Sequence, residues 1–237
     1  ASLDEAVSEE TLRQSRLMKL EAMVQKRKSN FEYLRKLHTG DAFWLNAVLI
    51  GEAELCDYVR DVVPELRTTR FFYLALSLGK LLDMPAGAVT VEALWQLIQE
   101  YEYHFANSAM QMVRYTTARN SECVYPQLNP REEGEDEAAK ANLYRFGNEV
   151  VYLHLQTPHV AFELDYREVL FSLCDVLSLL YNKFVDEEIW QNSAVFDMLV
   201  KADSRIKHHV INLLAKELTD LSTQILRNEF SALRAAN

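Results

Sequence analysis

The chain has 237 residues, 49% of them hydrophobic and 25% charged, proportions that fit a globular protein with a sizeable core. Its formal net charge of −10 argues against bulk binding to nucleic acid or to an anionic membrane surface, since both need a basic face. Every long apolar stretch is interrupted by charge, so no transmembrane helix is expected.

Six glycines and five prolines are few for a turn-rich β fold, and helix-period patterning runs through nearly the whole chain. The expectation is an all-α, multi-helix bundle of about six to eight helices, with long amphipathic, coiled-coil-like helices at its N- and C-terminal ends. Residues 1–39 read as the N-terminal coiled-coil-like helix, and residues 40–237 as a single helical bundle domain. From about Ser8 to Leu37 there is neither glycine nor proline, and Leu12, Leu17, Leu20, Val24, Phe31 and Leu34 recur mostly at three- and four-residue steps. Arg27 interrupts that seam where an apolar residue is expected, and alternating charges flank it. A narrow seam of this kind packs on one partner, either the last helix of the chain or another protein.

Gly40 and Asp41 end this helix and cap a second, amphipathic one carrying Phe43, Trp44, Val48, Leu49, Leu55, Tyr58, Val59 and Val62, which stops before Pro64. Thr68 or Thr69 is the expected cap of a third, strongly apolar helix that ends at the Asp83–Gly87 loop. Thr90 opens a fourth, from Leu94 through Phe105 to Met112 and Tyr115. Residues 118–137 contain Pro126, Pro130 and an acidic run around Gly134, the pattern of a flexible loop. A fifth helix is expected from near Ala138 through Leu143, Phe146, Val150, Val151 and Leu153, followed by an extended link from His159 to Glu163.

The most apolar window runs from Phe162 to Phe184, and its Asp165–Glu168 pair has the spacing of a capping box. Only Glu168, Ser172, Asp175 and Asn182 make a polar stripe on it, so the helix belongs at the centre of the bundle. A last helical region starts near Ser193, and its apolar residues shift face along its length. That drift implies a bend or stutter near Asp203-Ser204.

The standard chemical motifs are missing. No glycine-rich phosphate loop, Cys-x-x-Cys, zinc-protease motif, Glu-x-x-His pair or nucleophile elbow occurs, so no cofactor or metal is implied. Glu100 and His104, one helical turn apart, could form half a metal site, though a hydrogen-bonded pair is the plainer reading. His208 and His209 lie in a locally basic RIKHH stretch. Asp175 sits in apolar surroundings and is the candidate buried polar residue, in need of a partner. The cations Arg16, Lys19, Lys26, Arg27 and Lys28 on the first helix are the candidate partner-binding residues, suited to an acidic protein surface or another helix. Cys56, Cys123 and Cys174 read as small, mostly buried hydrophobes in a reducing compartment.

The leading functional expectation is a non-enzymatic helical scaffold or adaptor. It would be a subunit of a larger cytoplasmic or cytoskeletal assembly, acting through its amphipathic helices on other proteins, with homo-oligomers also compatible. The alternatives are a membrane-trafficking adaptor recruited to vesicles, and a helical enzyme whose site is built from distant residues such as Asp175, Glu100 and His104.

Overall fold

A computed structural model describes residues 3–40, 42–85, 87–117, 143–146, 149–186 and 189–235. The acidic stretch 118–137 and the expected helix start at Ala138 lie outside these residues. The described chain is an all-α bundle with two short hairpins. Its helices are α1 (Leu3–Leu37), α2 (Glu52–Asp61), α3 (Glu65–Leu82), α4 (Ala88–His104), α5 (Ser108–Thr117) and α6 (Tyr166–Asp186). They are followed by α7 (Ser193–Ile206), a π-helical turn (Lys207–Asn212) and α8 (Leu213–Ala235), which together form one continuous helical run. Strands β1 (Ala42–Trp44) and β2 (Val48–Ile50) pair antiparallel, as do β3 (Tyr144–Phe146) and β4 (Glu149–Val151).

Central helix α6 packs on α3 and α1, and α4 packs on α7. The N-terminal seam therefore meets α6 rather than the last helix. Leu20, Val24, Arg27, Phe31 and Leu34 of α1 are buried at alternating four- and three-residue steps, while Leu12 and Met18 remain exposed. The second half of α1 thus contributes to the same core as Phe71 of α3, Leu97 of α4 and Tyr181 and Phe184 of α6. Helix α6 starts as its capping pattern dictates. Asp165 accepts hydrogen bonds from the backbone N–H groups of Arg167 (2.8 Å) and Glu168 (3.1 Å). Asn192 caps α7 the same way, accepting from Ala194 and Val195.

Five expectations are corrected. The helix expected from Phe43 is hairpin β1–β2 followed by the shorter α2. Trp44, Val48 and Ile50 face the core and Phe43 and Leu49 face out, so apolar residues on both strand faces imitated a helical pattern. Leu45 and Asn46 turn the hairpin at positive φ (48° and 56°), without glycine. The Tyr33 hydroxyl fixes it to α1, donating to the Phe43 carbonyl (2.7 Å) and accepting from the Leu45 N–H (2.9 Å).

The helix expected through Leu143–Leu153 is likewise hairpin β3–β4, rich in aromatic and β-branched residues. Helix α3 begins at Glu65, directly after Pro64, and not at a Thr68 or Thr69 cap; Thr68 is buried within it. Thr90 lies inside α4, its hydroxyl donating to the Pro85 carbonyl (2.8 Å). The run from Thr90 to Tyr115 breaks at residues 105–107, where Asn107 accepts from the Met110 N–H (2.9 Å) and opens α5.

The irregularity in the last helical region begins at Lys207, slightly beyond the expected place. Ile206, Val210, Leu214 and Leu218 are all buried at steps of four. In a regular α-helix each such step over-rotates by about 40°, which would carry the stripe off the core. A π turn takes one more residue per hydrogen-bonded loop and keeps the stripe facing inward.

Candidate interaction site

The five basic residues singled out on α1 do not form one surface. Arg27 is buried, and its guanidinium binds Asp203 of α7 in bidentate fashion, Nε to Oδ1 at 2.6 Å and Nη2 to Oδ2 at 2.7 Å. The Tyr181 hydroxyl of α6 donates to the same Asp203 oxygen at 2.6 Å. The hydrogen bond to Asp203 raises the Arg27 pKa further, and burial pushes that of Tyr181 up. This cluster joins α1, α6 and α7, and it explains why arginine occupies an apolar seam position. Arg16 donates through Nε to the Trp190 carbonyl (2.8 Å), holding α1 against the 3-10 turn Ile189–Gln191. Lys19 and Lys26 are exposed and Lys28 is half-buried.

Asp175 corrects the expectation of a buried carboxylate. It is 58% exposed and pairs with Arg35 of α1 on the surface, because it lies on the same solvent-facing stripe of α6 as Glu168 and Ser172. Cys174 beside it is fully buried, which pushes its thiol up to about 12, whereas Cys56 is exposed, contrary to expectation. Cys123 lies outside the described residues.

Glu100 and His104 do not meet as metal ligands. Glu100 is fully buried and accepts from the backbone N–H groups of Leu153 (2.8 Å), His154 (3.0 Å) and Leu155 (2.8 Å), and from Gln96 Nε2 (2.9 Å). It holds the segment after β4 onto α4. The His104 Nδ1 instead lies 3.0 Å from the Tyr152 hydroxyl, and burial lowers its pKa. Among the described residues, no group of three or more His, Cys, Asp or Glu side chains is placed to hold a metal ion. No described helix is long and apolar enough to cross a membrane.

The RIKHH stretch runs from the end of α7 into the π turn, and its Arg205, His208 and His209 line a cleft of about 770 Å³ between the start of α3, the α4–α5 junction and the start of α8. Five arginine or lysine residues line it, Arg67, Arg70, Arg114, Arg205 and Lys216, against one carboxylate, Glu102. Burial alone would raise the Glu102 pKa. The hydrogen bond from His209 (2.8 Å) and the charges of Arg205, His209 and Arg114 outweigh it and hold the carboxyl below its usual range. Arg67 is committed to Glu217 of α8, which also accepts from the Tyr58 hydroxyl. Arg70 lies over the Phe105 ring at 4.8 Å and donates to the Phe105 carbonyl, with its buried Nε unpaired. Leu66, Phe105 and Met110 supply its apolar lining, while Phe71 and Tyr101, also at the cleft, are buried. RIKHH was the one trace of this cleft in the sequence; its other cations lie on helices that only folding brings together.

A second surface is the distal part of α8. Beyond Ile225, which still packs against the core, the helix leaves it, and Leu226, Phe230 and Leu233 are 43%, 62% and 60% exposed at i, i+4 and i+7. The chain matches no family model, no curated protein and no solved structure.

Proposed function

We propose that this chain is a non-enzymatic helical scaffold or adaptor, a subunit of a larger cytoplasmic assembly that it joins through its amphipathic helices. The distal face of α8 carries the reading. A well-formed helix projects past the core with Leu226 and Phe230 on one face in water. Fully burying such a side chain is favourable by about 1.5–3 kcal/mol, and Leu226 and Phe230 keep 43% and 62% of their surface for a partner to cover. Leu12 and Met18, exposed on the first half of α1, offer a smaller surface of the same kind.

The test is to recover the tagged chain, expressed at its native level, and weigh the intact complex by native mass spectrometry. The expected result is a defined partner at near one-to-one ratio, lost in a Leu226→Ser, Phe230→Ser variant whose thermal midpoint is unchanged. Recovery of the 27.4 kDa chain alone, or complexes indifferent to the substitutions, overturns the reading.

A further inference from the structure

The cleft at the π turn points to a second and chemically different contact. The geometry points to a docking site for an acidic, amphipathic segment of a partner protein, seated between α3, the α4–α5 junction and the π turn. The inference rests on the chain being a partner-binding protein, but on a surface separate from α8.

Charge complementarity is the first ground. In a chain of net charge −10, five cations converge on one cleft with a single lining carboxylate among the described residues. That carboxylate is already occupied. Glu102 is ionised and shared among His209 (2.8 Å), Arg205 (3.4 Å) and Arg114 (3.3 Å). Arg67 is neutralised by Glu217. Among the described residues, Arg70 and Lys216 have no ion pair. Arg70 has a ring and a carbonyl for company and a buried Nε without a partner, and Lys216 is exposed with no ion pair among the described residues. An incoming carboxylate can satisfy both more strongly than water does, and a guanidinium fork favours a planar acid.

The second ground selects a peptide over a small anion. A bare phosphate site gathers donors around one point, often with backbone N–H groups at a helix start. Here the cations are spread over α3, α5, α7 and α8, around apolar surface from Leu66, Phe105 and Met110. Apolar floor with basic rim is the complement of a segment that alternates acidic residues with Leu or Phe side chains. The π turn contributes by placing His208 and His209 side by side, ring centres 5.1 Å apart, in the lining of the cleft.

The test is fluorescence anisotropy with a fluorescein-labelled peptide of about 12 residues that alternates Glu-Asp pairs with Leu and Phe. A control peptide replaces each acid by its amide, and tripolyphosphate serves as a competitor. The expected result is saturable micromolar binding that weakens with added salt, is absent for the amide peptide, and falls at least about tenfold in Arg70→Gln. Lys216→Glu, at an exposed position, gives the same loss without disturbing the Arg70–Phe105 packing. The α8 double-serine variant keeps peptide binding, and Lys216→Glu keeps the α8 complex, so the two surfaces fail separately. No saturable binding, equal binding of the amide peptide, or indifference to Lys216→Glu overturns the inference. Full displacement by tripolyphosphate that also binds alone overturns it in favour of a small polyanion.

Discussion

Removing Arg27 while leaving Asp203 in place strands a carboxylate in the core. The side chains of Arg27 and Asp203 are only 8% and 9% exposed, so solvent screens the pair little. Breaking such a buried pair costs about 3–5 kcal/mol, most of it the charge left behind rather than the lost attraction. Arg27→Met keeps the seam volume and is therefore expected to lower unfolding free energy by about 4 kcal/mol. With a urea dependence near 3 kcal/mol/M, the midpoint falls by roughly 1.3 M, read by far-UV circular dichroism. Tyr181→Phe removes one hydrogen bond to a charged acceptor and costs about 1.5–3 kcal/mol. The triple variant Arg27→Met, Tyr181→Phe, Asp203→Leu removes charges and donors together and recovers most of the loss. A single Arg27→Met change costing under about 1 kcal/mol, or a triple variant as unstable as the single, refutes the reasoning.

Three further outcomes are expected. Glu100→Ala frees three backbone N–H groups and should cost at least about 3 kcal/mol, with hydrogen exchange accelerated at Leu153–Leu155; unchanged protection there contradicts the anchoring role. Burial lowers the pKa of His38, His104 and His154, so below about pH 6.5 the unfolded chain binds protons that the folded one resists. Stability is then greatest above about pH 7 and falls toward pH 5.5, and His38→Gln flattens that slope; a urea midpoint independent of pH across this range rules it out. The depressed Glu102 acts in the same sense at lower pH, losing its contribution as pH drops through its folded value. Asp175→Ala removes a surface ion pair and should shift stability by less than about 1 kcal/mol, a calorimetric change larger than that showing the carboxylate to be structural after all.

The sequence disclosed most where one residue type has one local job. Asp165 and its spacing to Glu168 located the start of α6, and the shift of apolar face along the last helical region placed a bend or stutter near Asp203-Ser204, a few residues before the irregularity at Lys207. Arg27 stood out as a misfit in the seam, and its partner Asp203 was invisible because it lies 176 residues away. The two hairpins escaped for a different reason. Strands of three residues are too short to display alternation, and the β1–β2 turn uses Leu45 and Asn46 where a glycine signal is usual. Asp175 was misplaced because α6, though apolar over most of its circumference, still keeps one stripe in water. The cleft required tertiary structure outright, since Arg67, Arg114 and Lys216 belong to three separate helices.

The central claim is that the distal turns of α8 are a partner-binding face. Hydrogen exchange measured on the purified native complex and on the free chain tests it most directly. The account predicts that amides over residues 223–235 exchange freely in the isolated chain and become protected in the complex. Equal exchange in both states, with any protection confined to other elements, contradicts it.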